Sequence, residues 1–282
     1  MKFLVLLALL FGVLHAQIKV VSTDWTAAEI LKFIGYEPSA VGDKNSYKIW
    51  VGEPDLGEDV VDLGLRMQPN IERLIKLDPD IVIVPSFFSF NITALAKHLS
   101  NTKIIVIDAY KSGNLEENLK EATLEISKLV NKENEAKNLL DGNDKFFNSL
   151  SAKVTNLKDD TFAVIQFIDS KRVRIYGTNS IYGITLSKLG LKNALSNEFE
   201  TNLWDIATIP VTSLFKLPKN TKAIIIKPNP INLKEQIKFN SLFASLDMFK
   251  DYVELEPVWG AGAYLSMQKF AKALISLLGD KQ

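Results

Sequence analysis

Residues 132–157 read KENEAKNLLDGNDKFFNSLSAKVTNL, and no other stretch narrows the possible folds as much. Apolar residues recur at Ala136, Leu139/Leu140, Phe146/Phe147, Leu150 and Val154, a helical spacing set in a highly charged background. Gly142 costs about 1 kcal/mol inside such a helix but need not end it. A helix of roughly 25 residues spans roughly 38 Å at 1.5 Å per residue, longer than a crossover between neighbouring strands needs. On both sides, apolar runs of strand length alternate with helix-period segments, which is α/β patterning. The expected architecture is therefore two α/β lobes, residues 17–131 and 158–282, joined by a single long helix over 132–157. Strands are expected at Ile18–Ser22, Ile81–Val84, Ile104–Ile107, Phe162–Ile168, Val173–Tyr176, Ala223–Ile226 and Tyr252–Glu256. Helices are expected at Thr26–Ile34, Asn70–Leu77, Asn91–Leu99, Leu115–Leu129, Ser180–Leu189, Ile231–Phe249 and Ala263–Leu278, with Asn70 and Asn91 as N-caps. Two such lobes leave a cleft at the strand ends, where these sheets bind ligands.

The first residues, MKFLVLLALLFGVLHAQ, have one lysine, then an apolar run from Phe3 to Leu14 and Ala16 before Gln17. The run is shorter than the roughly 20 residues a bilayer span needs, so residues 1–16 read as a secretory signal peptide. The chain contains no cysteine, which excludes a disulfide scaffold and a lipid-anchored cysteine at the cut. The expectation is a monomeric protein of the Gram-negative periplasm, not inserted in the membrane after cleavage. Net charge is zero and no basic block stands out, so nucleic acid is not an expected partner.

The four tryptophans, Trp25, Trp50, Trp204 and Trp259, all fall outside the interiors of the expected elements. Two per lobe, they describe an aromatic-lined cleft; the alternative is that each plugs the space under its own loop. Phe87, Phe88 and Phe90 in VPSFFSFN add aromatic area after the strand at Ile81–Val84. Arg66 ends the stretch VVDLGLR in a chain with four arginines against twenty-nine lysines. Placed on the loop side of the Asn70 helix, it faces the same cleft, where a guanidinium can hold clustered oxygens with several donors. An ion pair with Asp62 or Glu53 is the competing use.

Much chemistry is excluded. His15 leaves with the signal, so the mature chain keeps only His98. Ser-His-Asp, Cys-His and histidine-rich zinc sites are not available. GAGAY at 260–264 lacks the spacing of a dinucleotide fingerprint. A carboxylate pair in a hydrolase remains open, although no spacing singles one out.

Four stretches, NSYKIWVGEPDL, VVDLGLRMQPNIERLIKLDPDIVIV, RIYGTNSIYGITLSKLGLKNAL with FETNLW after it, and VELEPVWGAGAYLSM, resemble the periplasmic ferric-hydroxamate-binding proteins of ABC importers. These are ferric-siderophore receptors of the helical-backbone, class III type. The resemblance implies that Arg66 holds the hydroxamate oxygens around iron, that Trp50, Trp204 and Trp259 wall the site, and that Trp25 is a further cleft aromatic. It also implies that the siderophore, not the protein, ligates the metal, so no cofactor is required. The chain departs from the family in three places. Phe88 stands where the family has a hydroxyl-bearing tyrosine, GAGAY replaces bulkier aromatics, and Thr93 replaces a permease-docking acid.

The expected function is capture of an Fe(III)-siderophore and its delivery to an inner-membrane ABC permease with its ATPase, with only slight lobe closure because a continuous helix bends poorly. The same scaffold carrying haem or a corrinoid, a carboxylate-dependent secreted hydrolase, and an adhesion module are the rivals.

Overall fold

A computed structural model describes residues 17–279, without the side chains of residues 89–91 and 94. The expected signal peptide, residues 1–16, lies outside the described residues. Among those described, no helix is long and apolar enough to cross a membrane.

The first lobe is built from β1 (Val20–Ser22), α1 (Trp25–Phe33), β2 (Ala40–Val41), α2 (Lys44–Trp50), β3 (Val61–Asp62), α3 (Ile71–Leu77), β4 (Ile81–Val84), α4 (Ser89–His98) and β5 (Lys103–Val106). Its five strands are all parallel, in the order β3-β2-β1-β4-β5. The register pairs Val21 with both Ala40 and Val82, so the segments after β1, β2, β3 and β4 all leave from one sheet edge. Helix α5 (Leu115–Leu129) leads into α6 (Glu133–Ser151), which passes to the second lobe.

The second lobe contains β6 (Thr161–Phe167), β7 (Arg172–Tyr176), α7 (Ile181–Lys188), β8 (Lys192–Asn193), β9 (Ile206–Pro210), β10 (Thr221–Ile226), α8 (Leu233–Phe239), α9 (Ser241–Ala244), β11 (Val253–Leu255) and α10 (Tyr264–Gly279). Its sheet runs β11-β10-β6-β7-β9, with β8 added beside β6. β6, β10 and β11 are parallel, and the ribbon of β7 and β9 is antiparallel.

Several elements differ from expectation for local reasons. The helix expected over 132–157 ends at Ser151 and continues as a 3-10 turn, Ala152–Leu157, broken at Val154 where φ is −123°. Gly142 is accommodated inside α6. The helix expected over Ile231–Phe249 is three short pieces, because Asn240 and Leu246 are extended. The Asn240 side chain accepts from Leu242 N and starts α9 afresh. Helix α4 begins at Ser89, after a 3-10 turn over Ser86–Phe88, so Asn91 is not its N-cap; Asn70 does cap α3, accepting from Arg73 N.

The two lobes share more than α6. One apolar cluster contains Ile30 of α1, Leu119 of α5, Phe147 of α6, Phe270 of α10 and the second-sheet residues Val164 and Ile224. Helix α10 packs on α1, α6 and α7, so it is a second bridge behind the cleft. Separate clusters line the outer faces of the sheets, around Val82 and Leu95 in the first lobe and Ile165 and Phe243 in the second. A core continuous across both lobes predicts one cooperative unfolding transition. Phe147→Ala removes a ring from that shared core and is expected to lower stability by about 3–5 kcal/mol without splitting the transition. Urea titration followed by calorimetry checks both; two resolved transitions in the parent chain would contradict a shared core.

Candidate ligand-binding cleft

The first lobe presents three consecutive strand ends to one place. Chain leaving β1 turns directly into α1, where the Asp24 side chain caps the first turn and Trp25 follows. Trp25 is only 2% exposed, and its Nε1 donates to the Gly42 carbonyl at 2.8 Å. It is a buried floor and not an exposed wall. Chain leaving β2 is Gly42, and chain leaving β3 reaches Arg66. The Arg66 Cζ lies 3.8 Å from the centroid of the Trp25 ring and 5.5 Å from that of Trp259. Trp25 meets Trp259 edge-on at 4.9 Å and Tyr47 at 6.1 Å, and Trp50 meets Trp259 at 6.5 Å. These edge-to-face contacts suit the ring quadrupoles, and a cation over an indole face is attracted by the same charge distribution.

The Arg66 guanidinium has no hydrogen bond and no ion pair among the described residues. The alternatives considered from sequence do not form. Asp62 Oδ1 accepts from Lys44 N and Gly64 N, while its carbonyl accepts from the Arg73 side chain. Burial lowers the Arg66 pKa, and the charges of Asp24 and Asp43 oppose that shift. Burial likewise raises the Asp24 carboxyl, opposed by Arg66. A guanidinium does not lose its proton in proteins, so the group stays a cation with donors to spare. Leu65, 65% exposed, precedes it, and the exposed Ile49 precedes Trp50.

From the second lobe, Trp204 is half-buried in the turn before β9, its backbone held by Asn202 Oδ1, which accepts from Trp204 N and Ile206 N. It lies 6.3 Å from Tyr110, which follows β5, and the Tyr110 hydroxyl donates to Gly262 O. On β6 and β7, Gln166 Oε1 accepts from Arg174 Nη1 at 3.0 Å and from the Tyr176 hydroxyl at 3.3 Å. That trio abuts the Trp259 segment, since a Cβ on Gly260 would sit 3.0 Å from the Tyr176 ring. Arg174 also has no ion pair among the described residues, whereas Arg172 is paired with Asp169.

The sequence-derived candidates thus separate. Trp25, Trp50, Trp259 and Arg66 are brought together; Trp204 is not in ring contact with them and approaches only Tyr110, whose hydroxyl donates to Gly262 O in the segment after Trp259. Trp50 ends a helix where a loop was expected. Phe88 is a correction: it is 1% exposed and belongs to the cluster of Leu63, Leu74, Val84 and Leu95, separate from the one that holds Trp25, Trp50 and Trp259. The one-turn 3-10 segment before α4 rotates it inward and leaves Phe87 outside, half-exposed. Phe90 falls in α4, and its side chain lies outside the described residues. Two residues escaped sequence reading. Tyr110 is one, marked only by following a strand. Gly42 is the other: a Cβ there would sit 3.0 Å from Arg66 Cα and 3.1 Å from Thr23 O, so glycine lets the arginine reach the indole.

His98, at the end of α4, is exposed, and no group of three or more His, Cys, Asp or Glu residues is placed to hold a metal among the described residues. Concavities of about 560 and 630 Å³ lie elsewhere, at the β10–β11 edge and between α5 and α6. The first is lined by lysines already paired with carboxylates, Lys227 with Glu254 and Glu256. Unlike the first, the indole floor carries a cation whose hydrogen-bonding capacity is unspent.

Known proteins share this fold. The iron(3+)-hydroxamate-binding protein FhuD of Escherichia coli K12 is 23% identical over 265 residues, covering 93% of this chain and 88% of its own. The structure of Fe3+-Desferal-bound siderophore-binding protein FhuD from Vibrio cholerae superposes with a TM-score of 0.83 at 21% identity, over 93% of this chain and 97% of that one. The triscatecholate siderophore-binding protein FeuA from Bacillus subtilis, complexed with ferri-bacillibactin, superposes with a TM-score of 0.71 at 19% identity, over 94% and 92%. These neighbours share the two-lobed class III architecture. The periplasmic binding protein family pattern matches residues 20–260, and on that match the chain belongs to the periplasmic binding protein family.

Proposed function

We propose that this chain captures a ferric siderophore, of the hydroxamate type, between its lobes in the periplasm and delivers it to an inner-membrane ABC importer. The observation that carries the reading is the Arg66 guanidinium, stacked on Trp25 with no hydrogen bond or ion pair among the described residues. A half-buried cation without partners is costly unless something supplies oxygens, and a planar fork matches the clustered oxygens of a chelate. The indole face holds the group from below, leaving its edge for the ligand. Iron arrives as cargo with its ligands already supplied by the siderophore, so the chain has no need of histidine or cysteine. The names of the E. coli and V. cholerae relatives support a hydroxamate cargo.

A more anionic chelate is the second reading, favoured by one observation: Arg174, held by Gln166 beside the Trp259 segment, is a second guanidinium without a carboxylate. The FeuA neighbour, solved with a triscatecholate complex, shows that this fold accommodates such cargo.

Titration with ferrioxamine B, a ferric tris-catecholate, haemin and cobalamin, followed by tryptophan quenching, separates these ligands; saturable quenching by ferrioxamine B is expected, and none by cobalamin. Arg66→Ala is expected to weaken binding about 10- to 100-fold, since charge-assisted bonds contribute about 1.5–3 kcal/mol and each 1.4 kcal/mol is tenfold. Arg66→Lys should not restore it, because an ammonium neither stacks nor forks in the same way. Unchanged affinity in Arg66→Ala would remove the basis of the reading. Gly42→Ala is expected to weaken binding with a smaller effect on unfolding, as its new methyl displaces Arg66. Because the lobes share a core, loading should change the radius of gyration little; small-angle scattering checks this, and a contraction of many ångströms would contradict it.

A further inference from the structure

Glu29 is completely buried, and it lies one helical turn beyond Trp25 on the same face of α1. Its carboxylate reaches into the segment that enters α10. Oε1 accepts from Ala263 N at 2.9 Å and Ser266 N at 2.7 Å, and Oε2 accepts from Ser266 Oγ at 2.7 Å. The first turn of a helix has backbone N–H groups without partners, and here an acid from the first lobe satisfies them. Two further first-lobe groups hold the same segment: Thr26 Oγ1 donates to Ala261 O and the Tyr110 hydroxyl to Gly262 O, both at 2.7 Å. A Cβ on Gly262 would overlap the Ser266 side chain and stand 2.7 Å from Glu29 Oε2. The turn is closed on itself by Gly262 N donating to Trp259 O, so holding residues 262–263 also restrains the backbone of Trp259.

No cation is paired with Glu29 among the described residues. Burial raises its pKa, opposed by the donors of Ser266 and Ala263. A well-packed apolar side chain would avoid the cost of burying this acid, which makes bulk stability a poor reason for it. Its particular effect is geometric. It ties the chain that carries Trp259 to the helix that carries Trp25, and these two rings flank Arg66.

We infer that Glu29 is a positioning residue of the cleft: by capping α10 across the lobe boundary it holds Trp259 against Trp25 and so sets the indole seat of Arg66. The inference rests on the ligand reading above only for its effect on affinity. In chain labelled with 5-fluorotryptophan, with signals assigned by single Trp→Phe variants, Glu29→Ala is expected to shift the 19F resonances of Trp25 and Trp259. Glu29→Gln, which keeps one carbonyl acceptor, should shift them less, and Ser266→Ala should move them in the same direction. Phe147→Ala serves as the destabilised control and should leave both in place, which separates positioning from loss of stability. Ferrioxamine B affinity should fall at least about 5-fold in Glu29→Ala and less in Glu29→Gln. Should Glu29→Ala fail to fold, Glu29→Gln and Ser266→Ala decide by the same signals. Resonances of Trp25 and Trp259 that stay at their parent positions in these variants, or that move as much in Phe147→Ala, overturn the inference. A parent chain that does not bind ferrioxamine B counts against the ligand reading instead, and the 19F shifts still decide the role of Glu29.

Discussion

The contact between the Arg66 guanidinium and the face of Trp25 organises everything around it. It requires an indole that cannot tilt, and the bond from its ring N–H to the Gly42 carbonyl provides that. It requires close approach of two strand-end loops, which the missing side chain at Gly42 permits. It requires that no acid claim the cation, and the carboxylate of Asp62 is occupied by backbone donors. Trp25 follows β1, Gly42 follows β2 and Asp62 ends β3, so the geometry of the parallel sheet itself assembles the seat. Cation–π attraction contributes about 0.5–2 kcal/mol depending on exposure. That is enough to hold the side chain in place and too little to satisfy its donors, which is the state a receptor for oxygen-rich cargo needs.

The second organising feature is the shared core. A connecting helix alone would let two lobes rock about its ends. Here α10 returns from the second lobe to lie against α1, and apolar side chains from both sheets meet in one cluster. A core shared in this way favours pre-formed surfaces over wrapping, the arrangement that keeps the ordering cost of binding small.

Much of this was legible in the sequence, for identifiable reasons. Strands such as Ile81–Val84 and Thr161–Phe167 are buried on both faces and read as continuous apolar runs. Helices such as Leu115–Leu129 have a marked apolar face and a capping Asn114. By contrast, β2 and β3 are two residues each, β2 defined by its pairing with β1 and β3 by its pairing with β2, so no local pattern marks them. Helix α2 is only seven residues long and opens on Asp43 with φ of 52°, too short to leave a helical period in the sequence, so Trp50 reads as a loop residue. At the site, rare side chains were informative: the indoles and Arg66 stood out because little else explained their placement. Phe88 misled because neighbouring aromatics in a short turn point to opposite sides, and a single rotation decides which is interior. Gly42, Tyr110 and Glu29 act through contacts between residues far apart in the chain, and such contacts leave no periodic trace.

Trp259 is encoded after the last strand of the second lobe, yet its ring meets Trp25 and Trp50 and packs against the first-lobe cluster that includes Val41, Tyr47 and Val60. The boundary between the two sheets and the boundary of the proposed binding surface therefore do not coincide. A fragment ending before α6 would lack one of its own walls, and grafting one half onto a homologue would import a mismatched indole. A cleft walled in this way draws on both halves of the chain at once, so exchanging one half as a module would alter the proposed seat as well as the lobe it came from.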